Sequence, residues 1–268
     1  MTPSPPSTPR LAWARRPTAA YARCIRREAG ADPDPELATR LHRGYVEALR
    51  EAGVRVEHVP AADHLPDACF VEDGAIVLDR RVVITRPGAA ERRAELPELV
   101  AALSSVRPVV QLREPATLDG GDVMRLGDRL LVGRSRRTND AGIEQLRAIA
   151  AEEGLSVVAV EVPPSVLHLK SACSALDDRS VVLDATALAP AVLQALDLEV
   201  HAVPEPLGAN VLALGDRVLV SASAPGTARL LAALGHRVVT VELSELHRGD
   251  GALSCLSLRE PPPGGWSV

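Results

Sequence analysis

Apolar and polar positions follow one order again and again along this chain. Val54–Val59 alternates with the two-residue period of a half-buried strand. Two further apolar runs, Gly74–Leu78 and Val82–Thr85, meet at the turn-forming pair Asp79-Arg80, and apolar residues at helical spacing then run over about Ala90–Leu103. The second unit has strands over Val109–Leu112, Asp122–Leu126 and Leu130–Gly133, a turn at Gly127-Asp128 and a helix over Asp140–Glu153. The third has Ser156–Val162, Ala172–Leu176, a turn at Asp177-Asp178, Ser180–Asp184 and a helix near Pro190–Leu196. The fourth has Glu199–Val203, Asn210–Leu214, a turn at Gly215-Asp216, Arg217–Ser221 and a helix near Thr227–Leu234. A fifth starts with Val238–Leu243 and ends with Cys255–Leu258. The strand Leu11–Ala14 and the helix Pro35–Ala52, which stops at Gly53, complete it from the other end of the chain.

Units of roughly 40–50 residues at a fixed period are the signature of a propeller or another closed array. The pattern therefore predicts an α/β fold, a five-bladed α/β propeller of repeated strand-strand-strand-helix units. Pairing of the N- and C-terminal segments closes it and removes exposed sheet edges. A layered α/β fold with four hairpins is the plainer alternative, and the repeated Asp- and Gly-containing turns favour the closed array. In such an array one end of the axis collects a loop from every unit, so residues distant in sequence can meet there.

The organisation read from this is a disordered lead over residues 1–10, a single α/β propeller domain over 11–260 and a flexible tail over 261–268. The segment Arg15–Asp34 is polar and ends among Gly30, Pro33 and Pro35. A connection that long in a compact domain is commonly a lid.

Composition narrows the function. The chain has 268 residues, 46% of them apolar, enough for a sizeable core, and no apolar run long enough to span a membrane. Its net charge of −5, with both signs interspersed, gives no reason to expect nucleic acid or an anionic membrane surface as a partner. The four cysteines, Cys24, Cys69, Cys173 and Cys255, are widely spaced with no C-x-x-C, which argues against a zinc site and a disulfide framework. The start of the chain lacks the charged and apolar stretches of a signal peptide, so a cytoplasmic location with reduced thiols is expected.

The loops between the strands carry the candidate chemistry. Pro66–Asp73 interleaves Asp67, Glu72 and Asp73 with apolar residues, among them Phe70, the only Phe of the chain. A charge cluster usually marks a solvated face, but carboxylates flanked by apolar side chains suit a partly buried pocket for a cation, with Phe70 as a substrate contact. Asp119-Gly120-Gly121-Asp122 sets two glycines between two acids, so the backbone can turn sharply and approach another group closely. It is no phosphate loop, because no G-K-[ST] follows. Arg86 stands at a strand end before Pro87-Gly88, and Arg134-Ser135-Arg136-Arg137-Thr138-Asn139 leads into a helix. His168 lies between two leucines, where a histidine is more often a satisfied core residue than a catalyst. Cys255 follows Gly249-Asp250-Gly251 in a short apolar run, and on its own segment it reads first as a core thiol. Together these residues describe a pocket for a guanidino amino acid: acids for a cationic head, arginines for an anionic tail and a Cys–His pair for attack.

At this point a family resemblance is carried by six segments in order: PDACFVED (66–73), ITRPG (84–88), TLDGGDV (117–123), Arg137-Thr138-Asn139, LHLKS (167–171) and DGALSCLS (250–257). The chain resembles the dimethylarginine dimethylaminohydrolases, guanidino-group-modifying enzymes built as five-bladed α/β propellers. The resemblance implies hydrolysis of Nω-methylated L-arginine to L-citrulline and dimethylamine through a covalent cysteine intermediate. It implies Cys255 as nucleophile, His168 as general acid and base, and Asp119 orienting His168. Glu72 and Asp73 would hold the guanidinium, Asp67 the α-amino group, and Arg86 and Arg137 the α-carboxylate. Gly249 would lend backbone near the guanidinium, and Ile25, in the lid, would touch the α-amino group through its backbone. Gly249 stands where the family has a larger apolar residue, and the lid Arg23–Asp34 departs from the family pattern. The partner expected is a small guanidino amino acid, with no cofactor, no metal, no nucleic acid and no membrane, and a homodimer is compatible with this reading. An arginine deiminase, an amidinotransferase or a non-catalytic amino-acid-binding protein on the same scaffold are the alternatives. The compact length weighs against the first, and Cys255, His168 and Asp119 together weigh against the last.

Overall fold

The computed structural model describes residues 8–27 and 30–261. Most of the expected lead and tail, residues 1–7 and 262–268, lies outside the described residues.

Among the described residues, fifteen strands form five three-stranded sheets. Each begins with two antiparallel strands, continues through a helix and ends with a strand parallel to the second. Ala75–Val77, Val82–Ile84 and Val109–Gln111 make one, and Val123–Leu126, Arg129–Arg134 and Ser156–Glu161 the next. Cys173–Ala175, Ser180–Leu183 and Glu199–Ala202 follow, then Leu212–Leu214, Arg217–Ser221 and Arg237–Val241. The fifth joins the two ends of the chain. Leu11–Ala14 pairs antiparallel with Leu258–Arg259, with Trp13 opposite Leu258, and parallel with Arg55–His58.

The repeat expected from the sequence is present, but the sheet boundary falls elsewhere within it. The first strand of each sequence unit, such as Val109–Gln111, completes the preceding sheet. The helix between the second and third strands returns the chain to the same end of the sheet, so the third strand must run parallel to the second.

The middle strands Leu11–Ala14, Val82–Ile84 and Ser180–Leu183 are buried along their whole length. The third strands keep exposed positions, as in Glu199–Ala202. Apolar residues of neighbouring sheets pack together: Met124, Leu126 and Leu131 of one meet Cys173, Val181 and Leu183 of the next. The helix Pro35–Glu51 is opened by Asp34, whose carboxylate accepts from the Glu36 and Leu37 amides. It turns Ala38, His42, Tyr45 and Leu49 inward at helical spacing.

Three local expectations change. The helix expected over about Ala90–Leu103 is a 3-10 stretch, Ala90–Glu95, followed by an α-helix, Leu96–Ser104, with Pro97 in its first turn. The segment Arg15–Asp34 is not a bare loop, since Ala19–Arg23 forms a 3-10 helix that buries Tyr21. Cys255 is not on a strand: it sits in the 3-10 turn Ser254–Leu256, ahead of the strand Leu258–Arg259. Among the described residues no helix is long and apolar enough to cross a membrane.

Candidate active site

The loops ahead of the first strand of each sheet converge. Val71–Gly74, Gly120–Asp122, Leu169–Ala172 and Ser254–Leu256 are each a single helical turn, and each precedes such a strand. A cavity of about 690 Å³ opens there, lined in part by Asp73, His168, Cys255, Arg92 and Arg137.

His168 is buried, and its Nε2 lies 2.9 Å from Asp119 Oδ2. Asp119 is fully buried, and its other oxygen accepts the Gly88 amide at 2.8 Å. The paired glycines act as the sequence suggests. A Cβ on Gly121 would stand 2.6 Å from His168 Nδ1, and one on Gly120 would stand 2.0 Å from the Glu72 carbonyl oxygen. Only glycine lets the loop lie against both. Burial alone would lower the His168 pKa, but Asp73, the bond to Asp119 and Asp122 raise it to about 9. The imidazole is therefore protonated at neutral pH.

Asp122 is a structural anchor. Its oxygens accept from the Ser135 and Thr138 hydroxyls at 2.6 and 2.7 Å and from the Leu169 amide at 2.8 Å. This fixes the turn that bears Arg137 to the segment that bears His168.

Asp73 accepts the Gly121 amide at 2.9 Å and is ion-paired to Arg92. Burial pushes its pKa up, but His168 and Arg92 more than offset this and hold it at about 2. Arg92 also donates to Glu95 at 3.0 and 2.8 Å and to the Phe70 carbonyl at 2.8 Å. Asp67 accepts the Ile25 amide at 3.1 Å, which ties the lid to the acidic loop. Burial raises the Asp67 pKa to about 6 against the pull of Arg92.

Cys255 is half-buried and opens on the cavity. Burial, then Glu72 and Asp73, push its thiol up to about 12. Phe70 lines the cavity with its ring edge-on to Tyr21, centroids 6.0 Å apart. Gly249 also lines it, and a Cβ there would meet the Tyr21 hydroxyl oxygen at 2.4 Å. The Tyr21 ring and Cys24 thus fill the space that a side chain at position 249 would need.

Of the residues singled out from the sequence, Cys255, His168, Asp73, Asp67, Arg137, Phe70, Ile25 and Gly249 line one cavity, and Asp119 stands directly behind His168. Two are elsewhere. The Glu72 carboxylate accepts from Lys170 Nζ at 2.6 Å, Ser254 Oγ at 2.7 Å and Arg259 at 3.2 Å, and it lines a separate, smaller cavity. Arg86 is ion-paired to Glu114 and donates to the Ala116 carbonyl at 3.2 Å. Sequence reasoning missed Arg92, although its spacing to Glu95 is that of a helical ion pair. It also missed Asn210 and Ser254, which carry no sequence signal.

Asp73, Asp119 and His168 each offer a ligand atom within 4.8 Å of the others. Their carboxylate oxygens are taken by Arg92, His168 and the Gly88 and Gly121 amides, so the array reads as a hydrogen-bonded proton-handling group.

The chain matches the arginine deiminase family model over residues 57–205. It is 43% identical to an N(G),N(G)-dimethylarginine dimethylaminohydrolase of Streptomyces coelicolor, covering 84% of this chain and 87% of that one. It is 33% identical to the corresponding Pseudomonas aeruginosa protein, covering 85% and 90%. A solved structure of the Pseudomonas aeruginosa protein, a cysteine-to-serine mutant complexed with citrulline, superposes with a TM-score of 0.88 at 32% identity, covering 94% of this chain and 99% of that one. The N-terminal domain of a cyanobacterial arginine dihydrolase shares the fold at 19% identity, with a TM-score of 0.81 over 94% of this chain and 97% of the other. Five sheets closed by the chain ends, a Cys–His–Asp set at one end of them and similarity over most of the sequence lead to one conclusion: this chain belongs to the dimethylarginine dimethylaminohydrolase family.

Proposed function

We propose that the protein hydrolyses Nω,Nω-dimethyl-L-arginine to L-citrulline and dimethylamine through a covalent bond to Cys255. The observation that carries this is the opening of Cys255, His168 and Asp73 onto one cavity, with Asp119 bonded to His168 behind it. The names of the relatives and the citrulline complex of one of them support the same substrate class.

The guanidinium carbon is a poor electrophile because resonance spreads its charge, so orientation has to supply much of the rate. Asp73 meets the cationic head, and Asp67 and the Ile25 backbone meet the α-amino end. Arg137 takes the α-carboxylate, joined by Arg86 when it leaves Glu114. In the empty site the Cys255 thiol stays protonated, since burial and two acids oppose the thiolate. A bound guanidinium reverses the local sign of charge and favours the thiolate, whose proton passes to solvent water.

The sulfur then forms a bond to the guanidinium carbon. His168 gives its proton to the dimethylamino nitrogen, that C–N bond breaks and dimethylamine leaves. Neutral His168 next takes a proton from water. The hydroxide adds to the thiouronium carbon, the C–S bond breaks, and the ureido group of citrulline forms as its hydroxyl proton leaves, which restores the Cys255 thiol beside protonated His168. Every group invoked comes from one chain, so the chemistry asks nothing of a homodimer.

Citrulline release should be measured from dimethylarginine and from arginine. Preference for dimethylarginine and loss of turnover in Cys255→Ser are expected. Preference for arginine would indicate a deiminase, and near-normal turnover in Cys255→Ser would falsify the mechanism.

A further inference from the structure

Three of the turns that precede the first strands, and the residue that follows a further one, Pro206–Ala209, are knitted together by side chains. The Glu72 carboxylate holds Lys170, two residues after His168, and Ser254, one residue before Cys255. These bonds end on side chains. Asn210 does something different. Its Nδ2 donates to the Lys170 carbonyl at 2.8 Å and to Ser254 Oγ at 2.9 Å, and its Oδ1 accepts the Ser254 amide at 3.0 Å. The amide orientation follows from its neighbours, because a carbonyl needs the NH₂ and an N–H needs the oxygen. The residue is 5% exposed.

We infer that Asn210 is a positioning residue that fixes the distance between the two catalytic turns, by bonding directly to the backbone on the His168 side and on the Cys255 side. The inference rests on the proposed roles of Cys255 and His168. Asn210 itself touches neither reacting group and does not line the substrate cavity. Asparagine suits the task because one planar group offers a donor and an acceptor together. Aspartate keeps only the acceptor, and alanine keeps neither. Displacing a reacting group by about 1 Å can cost about 10²-fold in rate. The groups proposed to bind substrate, Asp73 and Arg137, sit on other loops and stay in place.

The test compares wild type, Asn210→Ala and Asn210→Asp in kcat, KM, citrulline affinity and the alkylation rate of Cys255. The alkylating probes are cationic 2-chloroacetamidine and neutral iodoacetamide, with the product read by mass spectrometry. Both variants are expected to lose about tenfold or more in kcat and in the chloroacetamidine rate, while KM and citrulline affinity stay within about threefold. The iodoacetamide rate should not fall in parallel, because that reagent makes no demand on the pair's alignment. A kcat and a chloroacetamidine rate within twofold of wild type in a folded variant overturn the inference, and so does a parallel loss of citrulline affinity. If neither variant folds, Asn210→Gln keeps the donor and the acceptor but moves them by one methylene, out of register with the Lys170 carbonyl and the Ser254 amide. The same split supports the inference there, and unchanged kinetics overturn it. Failure of the proposed function would look different, since wild type itself would release no citrulline.

Discussion

Asp119 binds His168 with one carboxylate oxygen, at 2.9 Å, and the backbone of Gly88 with the other, at 2.8 Å. The acid is thus held by the loop that follows the Arg86 strand, and the imidazole cannot rotate without losing its partner.

Asp73 and that pair together set the alkaline limb of the pH profile. In the proposed mechanism His168 must be protonated to release the amine, and its pKa is raised to about 9. We expect kcat/KM to fall as pH rises through about 9. The stability from His168 has the same sign. It is fully present below the ordinary histidine value, near 6.5, and is lost as pH rises through 9. Asp119→Asn removes the charge and leaves the shape, so it should move the limb toward neutral pH and lower kcat about 10²- to 10⁴-fold. A limb unmoved in Asp119→Asn would remove His168 as its source.

Gly249 and Tyr21 form a second pair. A methyl at position 249 would lie 2.4 Å from the Tyr21 hydroxyl, which donates to the Glu245 and Leu246 carbonyls, and 3.0 Å from Cys24 Sγ. Gly249→Ala should cost about 1–3 kcal/mol, as overpacking does. Adding Tyr21→Phe should recover part of that loss by removing the oxygen in the way. Thermal unfolding of the four proteins closes the cycle, and strictly additive losses would contradict the contact.

The repeat and the cavity-lining residues were legible because both have local signatures. Turn pairs recur at a fixed period, and acids between apolar residues stand out on the page. What stayed hidden depends on where side chains turn after folding. Glu72 and Asp73 are neighbours, yet one faces Cys255's cavity and the other faces Lys170 and Ser254. The single helical turn Val71–Gly74 sends adjacent residues in different directions. Asn210 could not be found because its partners lie 40 and 44 residues away and are mostly backbone atoms. The sheet boundary was misplaced because hydrophobic spacing reports that strands exist, not which strand pairs with which.

Arg92 is buried between Asp73 and Glu95. Arg92→Met would strand two carboxylates and should cost about 3–5 kcal/mol, the penalty for an unpaired buried charge. Arg92→Lys should recover little, since one ammonium cannot reach Asp73, Glu95 and the Phe70 carbonyl in the fork geometry of a guanidinium. The pH signature is specific. Asp73, held at about 2 in the native protein, contributes stability that is present above its ordinary value of 3.8 and lost as pH falls through 2. Removing Arg92 brings that loss to higher pH. Acid unfolding followed by circular dichroism should therefore begin earlier in a variant that still folds, and an unchanged acid midpoint would deny Arg92 its role.

Arg86 offers the sharpest test of substrate recognition, because its guanidinium is already occupied. Its partner Glu114 is exposed over 79% of its side chain, so solvent screens the pair and holding it contributes little. A substrate carboxylate gripped by Arg86 and Arg137 together would be bidentate and less hydrated, and it should win the competition. Arg86→Ala is expected to raise KM about tenfold or more with a small change in kcat, the pattern for lost uniform binding. Glu114→Gln should have the opposite effect and lower KM about two- to fivefold, because it releases Arg86 in the free protein and removes a competing anion. The two substitutions together should behave as Arg86→Ala alone, since Glu114 acts only through Arg86. Steady-state kinetics on the three variants decide the matter. A KM untouched by all three would mean that Arg86 stays with Glu114 throughout and that Arg137 holds the α-carboxylate without it.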